Sequence, residues 1–210
     1  EAPELLADTT RKTNITCNGF ADGTATVVNP NGGTPFTVGN PYNYSWNTTP
    51  VQTTQTATSL SPGTYQCTIT DANGCTFISN PVTIVEPSVL SFSINTNHVS
   101  CFNSSDGTAT VVNPAGGTPF TVGAPYTYSW NTVPVQITQT ATGLAPGIYT
   151  CTITDSLGCP KLSSISIVQP PTPLTLSTGF SPVICNGDTT GSAFVVPSGG
   201  WSSPFTYLWS

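Results

Sequence analysis

The feature that most constrains this chain is an internal repeat with a period of 84 residues. Cys17, Cys101 and Cys185 are separated by that distance, and the pair Cys67 and Cys75 recurs with the same offset at Cys151 and Cys159. Residues 17–75 and 101–159 are identical at 44 of 59 positions. A period of this length predicts that one compact unit has been copied along the chain.

Proline-containing motifs mark the boundaries of the unit. Pro3, Pro87 and Pro170 lie in the motifs EAP, VEP and VQP, each ahead of a leucine-containing segment. We expect repeat one at residues 1–86, repeat two at 87–170, and the first half of repeat three at 171–210. Half a sandwich leaves a core face uncovered, so we expect the natural array to continue; the alternative is that a neighbouring chain supplies the missing strands.

Composition predicts an all-β protein in an oxidising environment. Charged residues make up 6% of the chain and hydrophobic residues 37%, with 19 Gly and 20 Pro to form turns. Seven cysteines without a C-x-x-C motif favour an extracytoplasmic location. Three Lys and Arg against a net charge of −6 exclude nucleic acid as a partner. No apolar stretch approaches the ~20 residues that membrane insertion needs.

The pattern within one unit predicts an immunoglobulin-like β-sandwich. In repeat two we expect strands at Thr108–Asn113, around the alternating Tyr126, Tyr128 and Trp130, and at Gln136–Thr142. About seven short strands in 84 residues, with turns every 8–12 residues, are typical of that architecture. The Gly-x-Tyr-x-Cys segment that ends at Cys151 resembles its tyrosine corner.

The order of the motifs resembles one known family. A first cysteine is followed by DGTATV, GG-x-P, Y-x-Y-x-W, L-x-P-G-x-Y and D-x-x-G-C, in both complete repeats. This combination resembles the SprB repeat of large surface adhesins from gliding Bacteroidetes. The resemblance implies an Ig-like or PKD-like fold, type IX secretion, and a role at the cell surface in adhesion and gliding motility. Its expected partners are extracellular surfaces or glycans, other copies of the chain, and motility components.

The residues alone leave the disulfide pairing open. The resemblance implies Cys17–Cys75 and Cys101–Cys159, within each repeat. The main rival, by analogy with immunoglobulins, is Cys17–Cys67 and Cys101–Cys151. In either pairing, the cysteine of each repeat that is left over is expected to be a small buried apolar residue or a cross-link between repeats or chains.

Catalytic chemistry has little support in the sequence, and we expect no enzyme. His98 is the sole histidine and its counterpart in repeat one is Asn14, so no histidine site recurs. The recurrent aspartates are expected to cap turns, and the residues that recur are Asp22, Asp71, Asp106 and Asp155. We expect no cofactor or metal; calcium is the weaker alternative, because each turn offers a single carboxylate.

Candidate surface residues are aromatic residues beside the GG-x-P loops and hydroxyls in a glycosylation-like motif. Phe36, Phe120 and Phe205 are the candidate ligand-contact residues, whereas the tyrosines and tryptophan of Y-x-Y-x-W are expected in the core. Thr9, Ser156 and Thr189 are candidate O-glycosylation sites. The sequence therefore predicts an adhesive or structural array; the alternatives are a carbohydrate-binding module and accessory repeats of a large secreted enzyme.

Overall fold

The structure, a computed structural model, describes residues 9–201 and 204–209 of the chain. The described part consists of sixteen β-strands and contains no helix, so the prediction of an all-β fold is confirmed. Nor does it contain any helix that could cross a membrane. Pro3, in the first boundary motif, lies outside the described residues.

Repeat one forms two three-stranded antiparallel sheets and a short ribbon. Its strands are β1 (Thr9–Thr13), β2 (Gly23–Val28), β3 (Asn43–Trp46), β4 (Thr56–Leu60), β5 (Gly63–Tyr65), β6 (Cys67–Thr70), β7 (Thr76–Ile78) and β8 (Val82–Ile84). One sheet has the order β1-β2-β4, the other β3-β6-β7, and β5 pairs with β8. All of these strand pairs are antiparallel.

Repeat two has the same arrangement with longer strands. They are β9 (Ser91–Asn97), β10 (Gly107–Ala115), β11 (Thr127–Trp130), β12 (Thr140–Leu144), β13 (Gly147–Thr154) and β14 (Pro160–Ile167). Their sheets have the orders β12-β10-β9 and β11-β13-β14. Repeat three supplies one hairpin, β15 (Thr175–Ser181) with β16 (Ser192–Ser198).

The core of repeat one lies between its two sheets. Ala25 and Val27 of β2 pack in one buried cluster with Tyr44 and Trp46 of β3 and Ile69 of β6. These residues alternate with exposed or half-buried neighbours, as strands with one buried face require. The prediction that the Y-x-Y-x-W aromatics belong to the core is confirmed in both repeats.

Two polar anchors characteristic of immunoglobulin-like sandwiches are present. The Tyr65 hydroxyl donates to the Ser61 carbonyl at 2.9 Å, and the Tyr149 hydroxyl donates to the Ala145 carbonyl at 3.0 Å. Both bonds return to the backbone four residues upstream, which confirms the predicted tyrosine corner. The buried Trp46 donates its indole N–H to the Thr54 carbonyl at 2.9 Å.

The prediction of a strand at Gln136–Thr142 is only half right, because β12 begins at Thr140. The Gln136 side chain takes the place of a neighbouring strand. Its amide oxygen accepts from the Thr142 N–H at 2.9 Å, and its amide nitrogen donates to the Thr142 carbonyl at 3.0 Å. The backbone before Thr140 is therefore held as a loop by a side chain that mimics a peptide group.

Repeat one contains a bulge that repeat two lacks. Tyr65 pairs with Val82 whereas Tyr149 pairs with Ile165, so one additional residue lies between β7 and β8. The extra residue falls at Asn80-Pro81, where proline cannot donate to a ladder. The buried Ser79 hydroxyl accepts the Cys67 N–H at 2.9 Å instead. Because of this interruption, repeat one has two short strand pairs, β6 with β7 and β5 with β8. Repeat two has one continuous pair in their place, β13 with β14.

The described residues fall into two compact units. Unit 1 contains residues 9–90, Ala115–Pro125 and Asp155–Cys159, and unit 2 contains Ser91–Pro114, Tyr126–Thr154, 160–201 and 204–209. Unit 1 thus contains repeat one together with a loop and a turn that come from repeat two. Unit 2 likewise contains most of repeat two together with repeat three.

Candidate functional site

The most distinctive site in unit 1 is a disulfide between Cys17 and Cys159. Their Cα atoms are 5.6 Å apart and they are separated by 142 residues in sequence. The expected pairs Cys17–Cys75 and Cys101–Cys159 are therefore wrong, and so is the rival pairing with Cys67 and Cys151. The bridge joins the first cysteine of one repeat to the Gly-Cys cysteine of the next repeat.

A buried carboxylate fixes the turn that carries Cys159. One oxygen of Asp155 accepts from the backbone N–H groups of Leu157 and Cys159, at 3.0 and 2.9 Å. The other oxygen accepts from the Thr118 N–H at 2.7 Å, in the GG-x-P loop. A Cβ on Gly117 would lie 2.5 Å from that oxygen, so this loop needs glycine there. Asp155 thus ties the turn and the loop into one rigid element.

Asp71 does the same in repeat one. It accepts from the N–H groups of Thr34, Asn73 and Cys75 at 2.8, 3.0 and 2.8 Å. The bond from Thr34, followed by those from Cys75 and Asn73, holds the pKa of Asp71 below its ordinary value against the opposing effect of burial. The prediction that these aspartates cap turns is confirmed.

The turn that carries Cys17 is held against the segment that leaves repeat one. The Gly19 N–H donates to a carboxylate oxygen of Glu86 at 2.7 Å, and the Asn18 side-chain amide donates to the Pro87 carbonyl at 3.0 Å. The Ile15 N–H donates to the Val85 carbonyl at 3.1 Å. We call residues 85–87 the linker. Together with the exit from β1 and the turn of Cys17, the linker forms a second fixed element.

These two elements meet in unit 1. Asn14, Ile15 and residues 85–87 line one side of a shallow cleft, and residues 117–119 and Leu157 line the other. The Gly117 N–H donates to the Ser88 carbonyl at 2.8 Å, so the loop is also bonded to the start of its own repeat, directly after Pro87. We call this set of contacts, together with the Cys17–Cys159 bridge, the junction. It is a structural clamp and brings no set of catalytic groups together.

Two of the remaining cysteines are buried and the others are exposed. Cys67 and Cys151 lie in the cores as free thiols, which confirms the small-apolar interpretation of the third cysteine of each repeat. Burial raises the pKa of each of these thiols to about 11, so neither is a reactive thiolate near neutral pH. Cys75, Cys101 and Cys185 are exposed free thiols.

Asp22 and Asp106 cap the segment just before the first cysteine of their repeats. Asp22 accepts from the Thr16 hydroxyl and from the Thr16 N–H, and Asp106 accepts from the Ser100 N–H at 3.0 Å. Bonds from the side chain and then the backbone of Ser100 lower the pKa of Asp106 to about 2. The corresponding bonds from Thr16 lower the pKa of Asp22. No group of three or more metal-ligating side chains occurs within residues 9–201 and 204–209.

The candidate contact phenylalanines lie in one type of loop, which follows the GG motif in each repeat. Phe120 is 38% exposed, and the nearby Val122 is 87% exposed. Phe36 and Phe205 are half-buried. The Phe120 N–H donates to the Pro125 carbonyl at 2.9 Å, as Phe36 does to Pro41, so each complete repeat presents a closed loop with an apolar tip.

The candidate glycosylation residues differ in availability. Ser156 is exposed, but its hydroxyl donates to the Thr118 carbonyl at 2.7 Å within the junction. Thr189 is exposed and follows Asp188, whose carboxylate accepts its N–H at 3.1 Å. Thr9 is in β1, opposite Val28, and its side chain lies outside the described residues. Whether any of them carries sugar stays a prediction.

Sequence reasoning found both bridge cysteines and the buried aspartates but missed the residues that dock them. Thr118 acts through its backbone groups and Glu86 through its carboxylate, and each contacts a segment that is distant in sequence. The recurrence of GGTP, and of Val-Glu-Pro as Val-Gln-Pro, was the available signal. In unit 2, Gln169 accepts from the Asn103 N–H at 3.0 Å, where Glu86 accepts from Gly19 in unit 1.

Comparison with a family profile agrees with the repeat architecture. A search of curated proteins finds no match. Among solved structures, the amphioxus IgVJ-C2 molecule is similar to this chain with 14% identity and a TM-score of 0.28, over 75% of this chain and 95% of that one. A profile of the SprB repeat matches residues 9–50, 93–135 and 177–210, which together are more than half of the chain. SprB repeats are non-catalytic and occur in adhesin-like proteins of the cell surface. This chain belongs to the SprB-repeat family.

Proposed function

We propose that this chain is a segment of a secreted cell-surface adhesin, in which the repeats form a tension-resistant stalk for attachment or gliding motility. The observation that carries the proposal is the bridge from repeat one to repeat two. An enzyme or an isolated binding module has no need to link neighbouring repeats covalently. A filament under mechanical load does, because unfolding of one repeat would otherwise lengthen it.

The position of the bridge determines how force would pass through the chain. Tension that enters at Cys17 can leave at Cys159 without loading the residues between them. The buried Trp46 and Trp130 lie between the two cysteines, off the path of the force, and are therefore shielded from extension. A family that occurs at cell surfaces, and a composition poor in lysine and arginine, support the same role.

Stretching of single molecules, tethered at the two ends of the chain, tests the stalk. With the bridge intact, the 142-residue separation between Cys17 and Cys159 cannot be pulled out. Reduction should add about 500 Å of contour length, at ~3.5 Å per residue. The double variant C17S/C159S should give the long contour without reductant. Equal contour lengths with and without reductant would contradict the stalk.

Adhesion itself is assigned to the loop that presents Phe120 and Val122. Its apolar tip is exposed, and the equivalent loop of repeat one presents the half-buried Phe36 and the exposed Val38, so an array would present many weak contacts in series. Loss of an aromatic anchor should weaken such contacts, because aromatic side chains supply much of the contact energy at binding surfaces.

Beads coated with the chain test this loop on glass and on immobilised glycans. The double variant F36A/F120A should detach at lower shear than the parent chain. V133A is the matched control, because Val133 is fully exposed in another loop of repeat two. Undiminished attachment of a folded F36A/F120A variant would remove the loop from the mechanism.

A further inference from the structure

We propose that the Cys17–Cys159 bridge is one link of a repeating chain of disulfides, and that Cys101 and Cys75 are the open halves of the neighbouring links. Cys101 would bond the Gly-Cys cysteine of a following complete repeat, and Cys75 the first cysteine of a preceding one. The partner is in each case another repeat of this kind. The inference depends on the geometry of the junction and not on what the array adheres to.

The two open cysteines occupy the same local structures as the bonded ones. The Cys75 N–H donates to Asp71 at 2.8 Å and the Cys159 N–H donates to Asp155 at 2.9 Å. The Ser104 N–H donates to the Cys101 carbonyl at 3.1 Å, as Phe20 does to Cys17 at 3.0 Å. Both free thiols are therefore already held in the backbone conformation that the bridge uses.

Burial distinguishes the bonded cysteines from their open counterparts. Cys159 is buried, whereas Cys75, at the equivalent position, is exposed. Cys17 is half-buried, whereas Cys101 is exposed. Each open cysteine lies in the same type of turn as its bonded counterpart. A docked partner repeat would therefore cover it and remove the difference in exposure.

Unit 2 shows that the glycine loop of the following repeat has the same local structure and contacts the equivalent segment. The Gly200 N–H donates to the Thr172 carbonyl at 2.9 Å within repeat three, which matches the bond from Gly117 to Ser88 within repeat two. The Trp201 indole N–H donates across to the Val99 carbonyl of repeat two at 3.0 Å. The same Trp201 ring lies 6.4 Å from the His98 ring in a stacked arrangement.

The position of Trp201 corresponds to that of Thr118, and His98 and Val99 correspond to Asn14 and Ile15. The glycine loop of repeat three is thus seated beside the exit of β9, next to the segment that carries Cys101. What the 210 residues do not include is the D-x-x-G-C turn of that repeat. Its cysteine is the group that this geometry assigns to Cys101.

Formation of the second link is an ordinary thiol oxidation. The two cysteine thiols lose two protons and two electrons, and one S–S bond forms. A disulfide compound such as oxidised glutathione accepts them and is cleaved to two thiols, by exchange through a mixed disulfide.

Links in this register overlap along the sequence. The first closes the segment from Cys17 to Cys159, and the second begins at Cys101, inside that segment. Residues 101–159 would lie within both. A single break of the backbone there would leave the array covalently continuous.

The test uses the full chain, extended after Ser210 by a copy of residues 132–168 that completes repeat three. The extended chain is refolded in a glutathione redox buffer, its free thiols are alkylated, and it is digested with pepsin at low pH. Mass spectrometry should find Cys101 bonded to the duplicate of Cys159, Cys17 bonded to Cys159, and Cys75 alkylated. The Cys17–Cys159 peptide serves as the internal control for folding.

Two variants of the extended chain make the result specific. C101S should leave the duplicate of Cys159 alkylated, whereas C75S should change neither bridge. Alkylation of Cys101 beside an intact Cys17–Cys159 bridge would overturn the proposal, and so would a bond from the duplicate to Cys185. Alkylation of both Cys17 and Cys159 would overturn the junction from which the proposal is drawn.

Discussion

At the scale of single residues, buried aspartates hold the loops on which the junction is built. Asp71 and Asp155 are nearly inaccessible to solvent, and each accepts three backbone N–H bonds. A buried carboxylate is stable only when its oxygens are satisfied in this way. Each aspartate therefore converts two loops into one element.

Removal of the Asp155 carboxylate should loosen the turn of Cys159. We expect D155A to lower the free energy of unfolding by about 2–3 kcal/mol, because the N–H groups of Thr118, Leu157 and Cys159 lose their acceptor. Urea unfolding, followed by tryptophan fluorescence, measures the change. D155N, which keeps one carbonyl acceptor, should lose less; equal stability of D155A and the parent chain would refute the role.

Acid should destabilise the protein through the depressed carboxyl groups. The pKa of Asp106 is about 2 in the folded chain, against 3.8 ordinarily. Its contribution to stability is therefore complete above pH ~4 and is lost as the pH falls toward 2. The pKa values of Asp22 and Asp71 are lowered too, so their contributions have the same sign.

Thermal unfolding of the parent chain and D106N between pH 7 and pH 2 checks this dependence. D106N should be less stable than the parent at pH 7, and the difference should shrink as the pH approaches 2. A difference between the two proteins that stays constant over the range would contradict the assignment.

At the scale of strands and loops, side chains decide where the ladders stop. Gln136 ends the loop before β12 by bonding both backbone groups of Thr142, and Gln52 does the same to Thr58 in repeat one. The ladder of repeat one is also interrupted at Asn80-Pro81, because proline has no backbone N–H to donate. Local polar chemistry thus adjusts a fold that the apolar pattern has already set.

Loss of the Gln136 amide should fray the start of β12. We expect Q136A to lower the free energy of unfolding by about 1–2 kcal/mol, because two hydrogen bonds are lost at a partly exposed site. Amide hydrogen exchange should show faster exchange at Thr142. Q136E keeps the acceptor and should protect that N–H better than Q136A; unchanged exchange in Q136A would exclude the bracing role.

Much of the fold of each repeat could be predicted from the sequence, because alternation such as Tyr126, Tyr128 and Trp130 reports a half-buried strand directly. The Thr-rich segment around Gln136 was misassigned because strand propensity does not reveal a side chain that replaces a strand. The disulfide partner of Cys17 could not be predicted from the sequence for a different reason. In near-identical repeats, Cys75 and Cys159 have similar local sequences, so only packing between repeats distinguishes them.

At the scale of the whole molecule, one covalent bond links the first cysteine of repeat one to the Gly-Cys cysteine of repeat two. The Cys17–Cys159 bridge closes a segment of 142 residues that contains the buried tryptophans of both complete repeats, Trp46 and Trp130. In the chain-entropy model, a loop of this length stabilises the folded state by about 5 kcal/mol. The stability of each repeat should therefore depend on its neighbour.

Removal of the bridge should destabilise the chain while removal of an open thiol should not. We expect C17S/C159S to lose up to about 5 kcal/mol of unfolding free energy. C75S is the matched control, because Cys75 is an exposed free thiol in the equivalent turn. Equal losses in both variants, measured by urea unfolding, would show that the bridge contributes nothing beyond local packing.

Disulfide mapping of the unmodified, non-reduced chain tests the central claim most directly. After alkylation of the native protein and digestion with pepsin, we predict a peptide pair that joins Cys17 to Cys159. Cys75, Cys101 and Cys185 should carry the alkyl group, and Cys67 and Cys151 should react only after unfolding. A bond from Cys17 to Cys75 or Cys67, within repeat one, would contradict the bridged array.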